Sequence, residues 1–149
     1  MIKKLTLIFL VKDGQVLLGM KKRGFGAGWW NGFGGKVQEG ESIADAAKRE
    51  LQEEASVEAK FIQERGKLLF TFDDNQDTLE VNVFQCLEWT GVPTESEEMK
   101  PQWFDFEKIP FENMWPDDKF WLPKFLKGEN ISGKFHFKAD KSIGSYSLS

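Results

Sequence analysis

Residues 35–57, GKVQEGESIADAAKRELQEEASV, constrain this chain more than any other stretch, because they place acids where a folded chain should not want them. Ser42 can serve as an N-cap and residues 44–54 contain no Gly or Pro, so the stretch predicts a helix. Successive rotations of about 100° gather Ile43, Ala46, Ala47 and Leu51 on one apolar face. Glu50 and Glu54 fall on that same face one turn apart, with Glu53 at its edge. An amphipathic helix ordinarily turns its acids outward, and like charges at i and i+4 repel. A hard divalent cation resolves the conflict, since Mg²⁺ is held by one or two carboxylates together with substrate phosphates. Arg49 points away from the apolar face and can brace the helix or orient an acid. A solvated acidic helix is the competing reading of these residues alone.

The residues before the helix decide between the two. Asn31, Gly32, Phe33, Gly34 and Gly35 form a glycine-rich loop that permits close backbone approach, and Glu39-Gly40-Glu41 turns the chain into the helix. The spaced pattern of Gly35, Glu41, Arg49, Glu50, Leu51, Glu53, Glu54 and Val57 resembles the Nudix box. One position departs, Ser56 standing where the family has Gly. A helix commonly ends there on a left-handed residue, so the departure bears on turn geometry and leaves the acids untouched.

Composition suits a single catalytic domain spanning residues 1–149. A chain of 149 residues buries a sizeable core. Its 40% hydrophobic and 14% aromatic content excludes a disordered chain. The net charge of −4 offers no global field for a nucleic acid polymer. A polyanionic substrate therefore needs a metal ion and a local basic patch, for which Lys21, Lys22, Arg23 and Lys36 are the candidates. The single cysteine, Cys86, allows no internal disulfide and fits a reducing, cytoplasmic setting. His136, the single histidine, excludes a multi-histidine metal centre.

Taken in order, residues 5–11 predict a buried strand. They follow Met1-Ile2-Lys3-Lys4 in the manner of a signal peptide, but Lys12-Asp13-Gly14 supplies no small-residue cleavage site, and the run is far too short to span a membrane. Asp13-Gly14 predicts a hairpin turn into residues 16–20. Residues 61–72 and 79–89 predict two more strands around a polar turn at 73–77, and residues 101–106 a short one. Residues 117–127 predict a second helix, and residues 135–137 and 143–148 a final strand pair. Strands mixed with two helices predict an α/β/α sandwich around a mixed β-sheet, the fold that the Nudix resemblance also implies.

A second constellation, Asn113-Met114-Trp115-Pro116-Asp117-Asp118, lies outside the box. Pro and Asp favour the first turn of a helix, so capping accounts for them without a ligand, and Trp115 can be core. The functional reading is a purine pocket in which Trp115 stacks and the acids read the base edge. Here the resemblance narrows. Residues 19–54, 95–104 and 111–121 are similar to the oxidised purine nucleoside triphosphatase branch of the Nudix superfamily.

Enzymes of that branch convert 8-oxo-dGTP and 2-hydroxy-dATP to the monophosphate and pyrophosphate, cleansing the nucleotide pool. The resemblance implies that Asn31, Trp115, Pro116, Asp117 and Asp118 contact the base. It further implies that Thr6, Lys21, Phe33, Gly34, Gly35 and Lys36 line the nucleoside and phosphate site. Gly34, through its carbonyl, and Glu50, Glu53, Glu54 and Glu98 would hold Mg²⁺, with Mn²⁺ as the alternative ion. Trp29 is a second departure, standing where relatives carry Arg. The proton acceptor stays open among Glu53, Glu54 and Glu98, as does the phosphorus attacked. A purine nucleoside triphosphate is the expected partner, with no nucleic acid polymer, no membrane and a monomeric state. The rival readings are a Nudix enzyme for undamaged nucleotides, diadenosine polyphosphates or nucleotide sugars, and a Nudix module that binds without turnover.

Overall fold

Strand β1 (Ile2–Lys12) alternates its buried side chains between two faces, and the rest of the fold is arranged around that alternation. Ile8 and Leu10 enter one apolar cluster while Phe9 enters another. These relations come from a computed structural model, which describes residues 1–149. The chain continues through β2 (Gln15–Lys21), β3 (Trp30–Asn31), α1 (Ile43–Ala55), β4 (Glu58–Phe72), β5 (Thr78–Thr90), β6 (Met99–Asp105), α2 (Asp118–Leu126), β7 (Ile131–Phe137) and β8 (Ile143–Leu148). The strands form one eight-stranded sheet in the order β3-β2-β1-β5-β4-β7-β8, with β6 along β2. Pairs β1–β5 and β4–β7 are parallel and the others antiparallel, so the sheet is mixed as expected.

Each face carries one helix. Ala47, Leu51 and Ala55 of α1 pack with Ile8, Leu17, Phe84 and Cys86, whereas Trp121, Leu122 and Phe125 of α2 pack with Phe9, Leu18, Val83 and Phe135. Such two-sided burial is what holds a sheet between helices. Cys86 lies in the α1-side cluster, where burial pushes its thiol up to about 11. No helix is long and apolar enough to cross a membrane.

Several boundaries differ from the sequence reading, for one recurring reason. β1 starts at Ile2 rather than residue 5, β4 at Glu58 rather than 61, and β7 at Ile131 rather than 135. Each extension runs beside a partner strand, Ile2 pairing with Thr78, Glu58 with Thr90 and Ile131 with Gly66. Partner hydrogen bonds lengthen a strand past its apolar run, and that gain is tertiary. The 3₁₀ turns Phe106–Lys108 and Phe111–Asn113 lack an apolar period and leave no pattern to read.

Helix α1 follows its sequence signals closely. Ser42 Oγ accepts the Asp45 N–H at 3.1 Å, the N-cap expected of it. The helix ends on Ser56 in the left-handed region, φ 59° and ψ 32°, with its N–H on the Gln52 carbonyl. A side chain there is strained where glycine is not. Ser56→Gly is therefore expected to stabilise the fold by about 0.5–1 kcal/mol, the relief of strain being partly offset by glycine's greater unfolded freedom. Urea unfolding midpoints of the two proteins check it, and a lower midpoint for the glycine variant would show Ser56 to be the better cap.

Candidate functional site

The glycine-rich loop sits on the edge of β1 that β2 leaves free. Ile8 and Phe33 exchange backbone hydrogen bonds at 2.6 and 3.1 Å, Thr6 N–H donates to Gly35 O at 2.9 Å, and Val37 N–H to Lys4 O at 2.9 Å. Thr6 is buried and its hydroxyl also reaches Gly35 O, at 3.4 Å. The glycines are steric necessities. A Cβ on Gly34 would run into the Thr6 carbonyl, and one on Gly35 would lie 2.7 Å from the Glu50 carboxyl carbon. The Phe33 ring is fully buried on the α1 side, and its N–H and C=O both pair with Ile8.

The close approach brings α1 against the loop. Glu54 Oε1 accepts the Gly34 N–H at 2.9 Å. Burial raises the Glu54 carboxyl to about 8, against the opposing pull of Gly34 N–H, with the Glu50 charge raising it further. Burial likewise raises Glu50. Arg49 answers part of the repulsion that the helix face predicts. It donates to Glu50 at 2.7 Å, to both oxygens of Glu41 at 2.7 and 3.1 Å, to Glu53 at 3.3 and 3.4 Å, and to Lys36 O at 3.2 Å. Arg49 thus braces the helix to the preceding loop and orients two acids, both of the roles its position suggested.

The basic patch is smaller than the sequence implies. Lys22 is paired to Glu95 at 2.5 Å, and Arg23 holds Glu98 at 2.6 and 2.9 Å and Glu97 at 3.4 Å. Lys21 and Lys36 remain outside any ion pair. The Arg23 hydrogen bond holds the Glu98 carboxyl below its usual range. The Lys21 charge acts to lower both Glu54 and Glu98. Three acids do not converge on one point. Instead they line α1 in a row beside the free Gly34 carbonyl.

This donor set fits a hard divalent ion. Glu50 and Glu54 are carboxylates disfavoured by burial, and all the available donors are oxygens. Arg23 takes Oε1 of Glu98 and leaves its Oε2 without a protein partner.

The second constellation lies under α2. Asp117 and Asp118 are 3% and 7% exposed, so they are no solvated helix start. Asp117 makes no side-chain cap. Its Oδ2 accepts Trp121 Nε1–H at 2.8 Å instead, which overturns the capping explanation. Burial raises both carboxyls, Asp118 well above its ordinary range because the Asp117 charge adds to desolvation. Two carboxyls buried this close together favour holding one proton between them.

Trp115 is half-buried rather than core. Phe25 stacks on it at 5.4 Å, Trp29 tilts against it at 5.2 Å and Phe137 meets it edge-on at 6.3 Å. Sequence reasoning missed Phe25 and Phe137, whose glycine-loop and strand settings give no sign of a shared partner. Asn31 pairs with Gly19 across β2–β3, and its amide donates to Trp29 O at 3.4 Å. Pro116 occupies the turn that Asp118 N–H closes on Trp115 O at 3.1 Å. A cavity of about 460 Å³ lies elsewhere, on the face of β4, β7 and β8 near Thr71, Lys134 and His136, and no carboxylate lines it.

Comparison with known proteins accords with the helix and loop. The NUDIX domain family model matches residues 3–125. The chain belongs to the Nudix family. The oxidized purine nucleoside triphosphate hydrolase of Mus musculus is 50% identical over 143 residues, covering 96% of this Nudix chain and 92% of the mouse protein. The protein of the same name in Danio rerio is 48% identical over 146 residues, 98% and 94% of the two chains. Among solved structures, a MutT protein from Bacillus halodurans superposes with a TM-score of 0.85 at 30% identity, covering 99% of this chain and 97% of that one.

Proposed function

We propose that this Nudix hydrolase cleaves oxidised purine nucleoside triphosphates, 8-oxo-dGTP and 2-hydroxy-dATP among them, to the monophosphate and pyrophosphate, and so cleanses the nucleotide pool. The observation that carries the reading is the buried Asp117–Asp118 pair, which would share one proton, beside the half-buried Trp115 indole. Such a pair both donates and accepts along a base edge. Guanine offers N7 only as an acceptor, and oxidation at C8 turns that nitrogen into a donor. The near-half-identical mouse and fish proteins, named for oxidised purine triphosphates, support the same substrate class.

The phosphates would lie between the two ends of the site. Lys21 and Lys36, free of ion pairs, would meet their charge. Glu50, Glu53 and Glu54, with the Gly34 carbonyl, would hold Mg²⁺, for which Mn²⁺ can substitute. When bound, the ion neutralises phosphate charge and acidifies a coordinated water. Arg49 keeps the acid row in place through Glu41 and the Lys36 carbonyl.

A turnover assay with Mg²⁺ across dGTP, 8-oxo-dGTP, dATP, 2-hydroxy-dATP, a diadenosine polyphosphate and a nucleotide sugar, with products identified, tests the proposal. Higher kcat/KM for the oxidised purines with release of pyrophosphate is the expected result. Preference for a sugar or dinucleotide, or binding with no turnover, would overturn it. Excess Mg²⁺ is also expected to raise the thermal midpoint over that in EDTA, by mass action on the native state. Equal midpoints in the parent protein would show that the acid row holds no ion.

A further inference from the structure

We propose that Trp29 is a positioning residue that joins the base end of the site to its phosphate end, a role that rests on the purine reading above. Three contacts meet at this one residue. Its indole tilts against Trp115, ring centroids 5.2 Å apart at 48°. Its carbonyl accepts the Lys21 N–H at 3.0 Å and the Asn31 side-chain amide at 3.4 Å. The backbone bonds hold the residue itself, because Trp29 N–H also donates to Gly26 O at 3.1 Å and Gly28 N–H to Lys21 O at 2.7 Å.

Phe25, the other loop aromatic on Trp115, is placed differently. It is 67% exposed and lies between Gly24 and Gly26, both at positive φ, with the Lys141 ammonium 5.4 Å over its ring. Phe25 is thus the exposed partner of the Trp115 indole. Trp29, half-buried and held through its backbone, is the fixed wall that keeps the Trp115 indole oriented between itself and Phe137. Stacking does not read a base edge, so Trp29 acts on every purine alike, while discrimination stays with Asp117 and Asp118.

Trp29→Gln keeps a side chain of similar reach without the ring, and Trp29→Phe restores an aromatic wall. Kinetics with 8-oxo-dGTP and dGTP are expected to show KM raised about two- to tenfold by Gln for both substrates, the worth of one aromatic pair. kcat and the ratio between substrates should stay at parental values, and Phe should recover most of the loss. Unchanged KM, a fall in kcat alone, a changed ratio between the purines, or Phe no better than Gln would overturn the proposal. Titration of tryptophan fluorescence with dGMP and 8-oxo-dGMP separates this from the activity itself. A parent protein without turnover, but with nucleotide affinity weakened by Gln and restored by Phe, would end the hydrolase reading and leave the Trp29 role standing. Affinity indifferent to Trp29 would remove that role whatever the activity.

Discussion

Glu54→Gln is expected to lower kcat by at least about 100-fold at saturating Mg²⁺, within the range seen when a positioned acid–base or charge-bearing group is lost, and to leave the fold intact. The amide keeps the shape and its Oε1 can still accept the Gly34 N–H that Glu54 now holds at 2.9 Å. What disappears is the charge, which burial already disfavours in this position. The variant should therefore unfold no earlier than the parent in EDTA, and should gain less from added Mg²⁺. Steady-state kinetics and thermal unfolding on the same preparations check both halves. Near-parental kcat from a folded variant would take Glu54 out of the chemistry, and with it the central argument from the helix.

The contrast between Glu54 and Glu98 shows what the sequence could and could not convey. Glu50 and Glu54 stand out in the sequence because a helix has a fixed period, which sets two acids against their own apolar face. The same period located Leu51 and Ala47 in the core, where they lie. Glu98 sits in a turn with no period, and its partner Arg23 is 75 residues away. No local rule connects them. The Lys21-Lys22-Arg23 run failed as a basic patch for the same reason, since the Glu95–Glu98 segment that neutralises two of its cations arrives through β6 pairing on β2.

A loop residue beside glycines looks available from the sequence, whereas the Phe33 ring faces α1. Trp115 presents the opposite case. It stands out in its motif, but the rings against it come from Phe25, Trp29 and Phe137 in other segments, and the Trp121 that donates to Asp117 lies inside a helix read only as packing. Local periodicity carries elements and faces. Side-chain partnerships depend on strand order, which the sequence reading reached only as a sandwich.

Asp118→Asn is expected to alter both substrate ranking and the pH dependence of stability. Burial, with the Asp117 charge beside it, raises the folded-state pKa of Asp118 well above the unfolded value. A carboxyl raised in this way contributes its full stability below the unfolded pKa of about 3.9, and loses it as pH rises through the folded value. Above that pH two buried carboxylates face each other, and the parent should weaken. Asn cannot ionise and its amide can still donate to Asp117, so the variant should match the parent near the unfolded pKa of about 3.9 and outlast it increasingly as pH rises from there. Urea unfolding across that range measures the difference, and parallel curves would mean that Asp118 does not carry the proton. In catalysis the fixed amide can no longer exchange donor for acceptor between one purine and another. The ratio of kcat/KM between 8-oxo-dGTP and 2-hydroxy-dATP should shift by about ten- to a hundredfold, in line with roughly 1–3 kcal/mol for a lost polar partner. Asp117→Asn should shift it as well, with a stability loss of its own, because Trp121 Nε1–H then depends on the amide oxygen alone. If both variants keep the parental ranking, the acid pair serves α2 and the aromatic layer, and the base is read elsewhere.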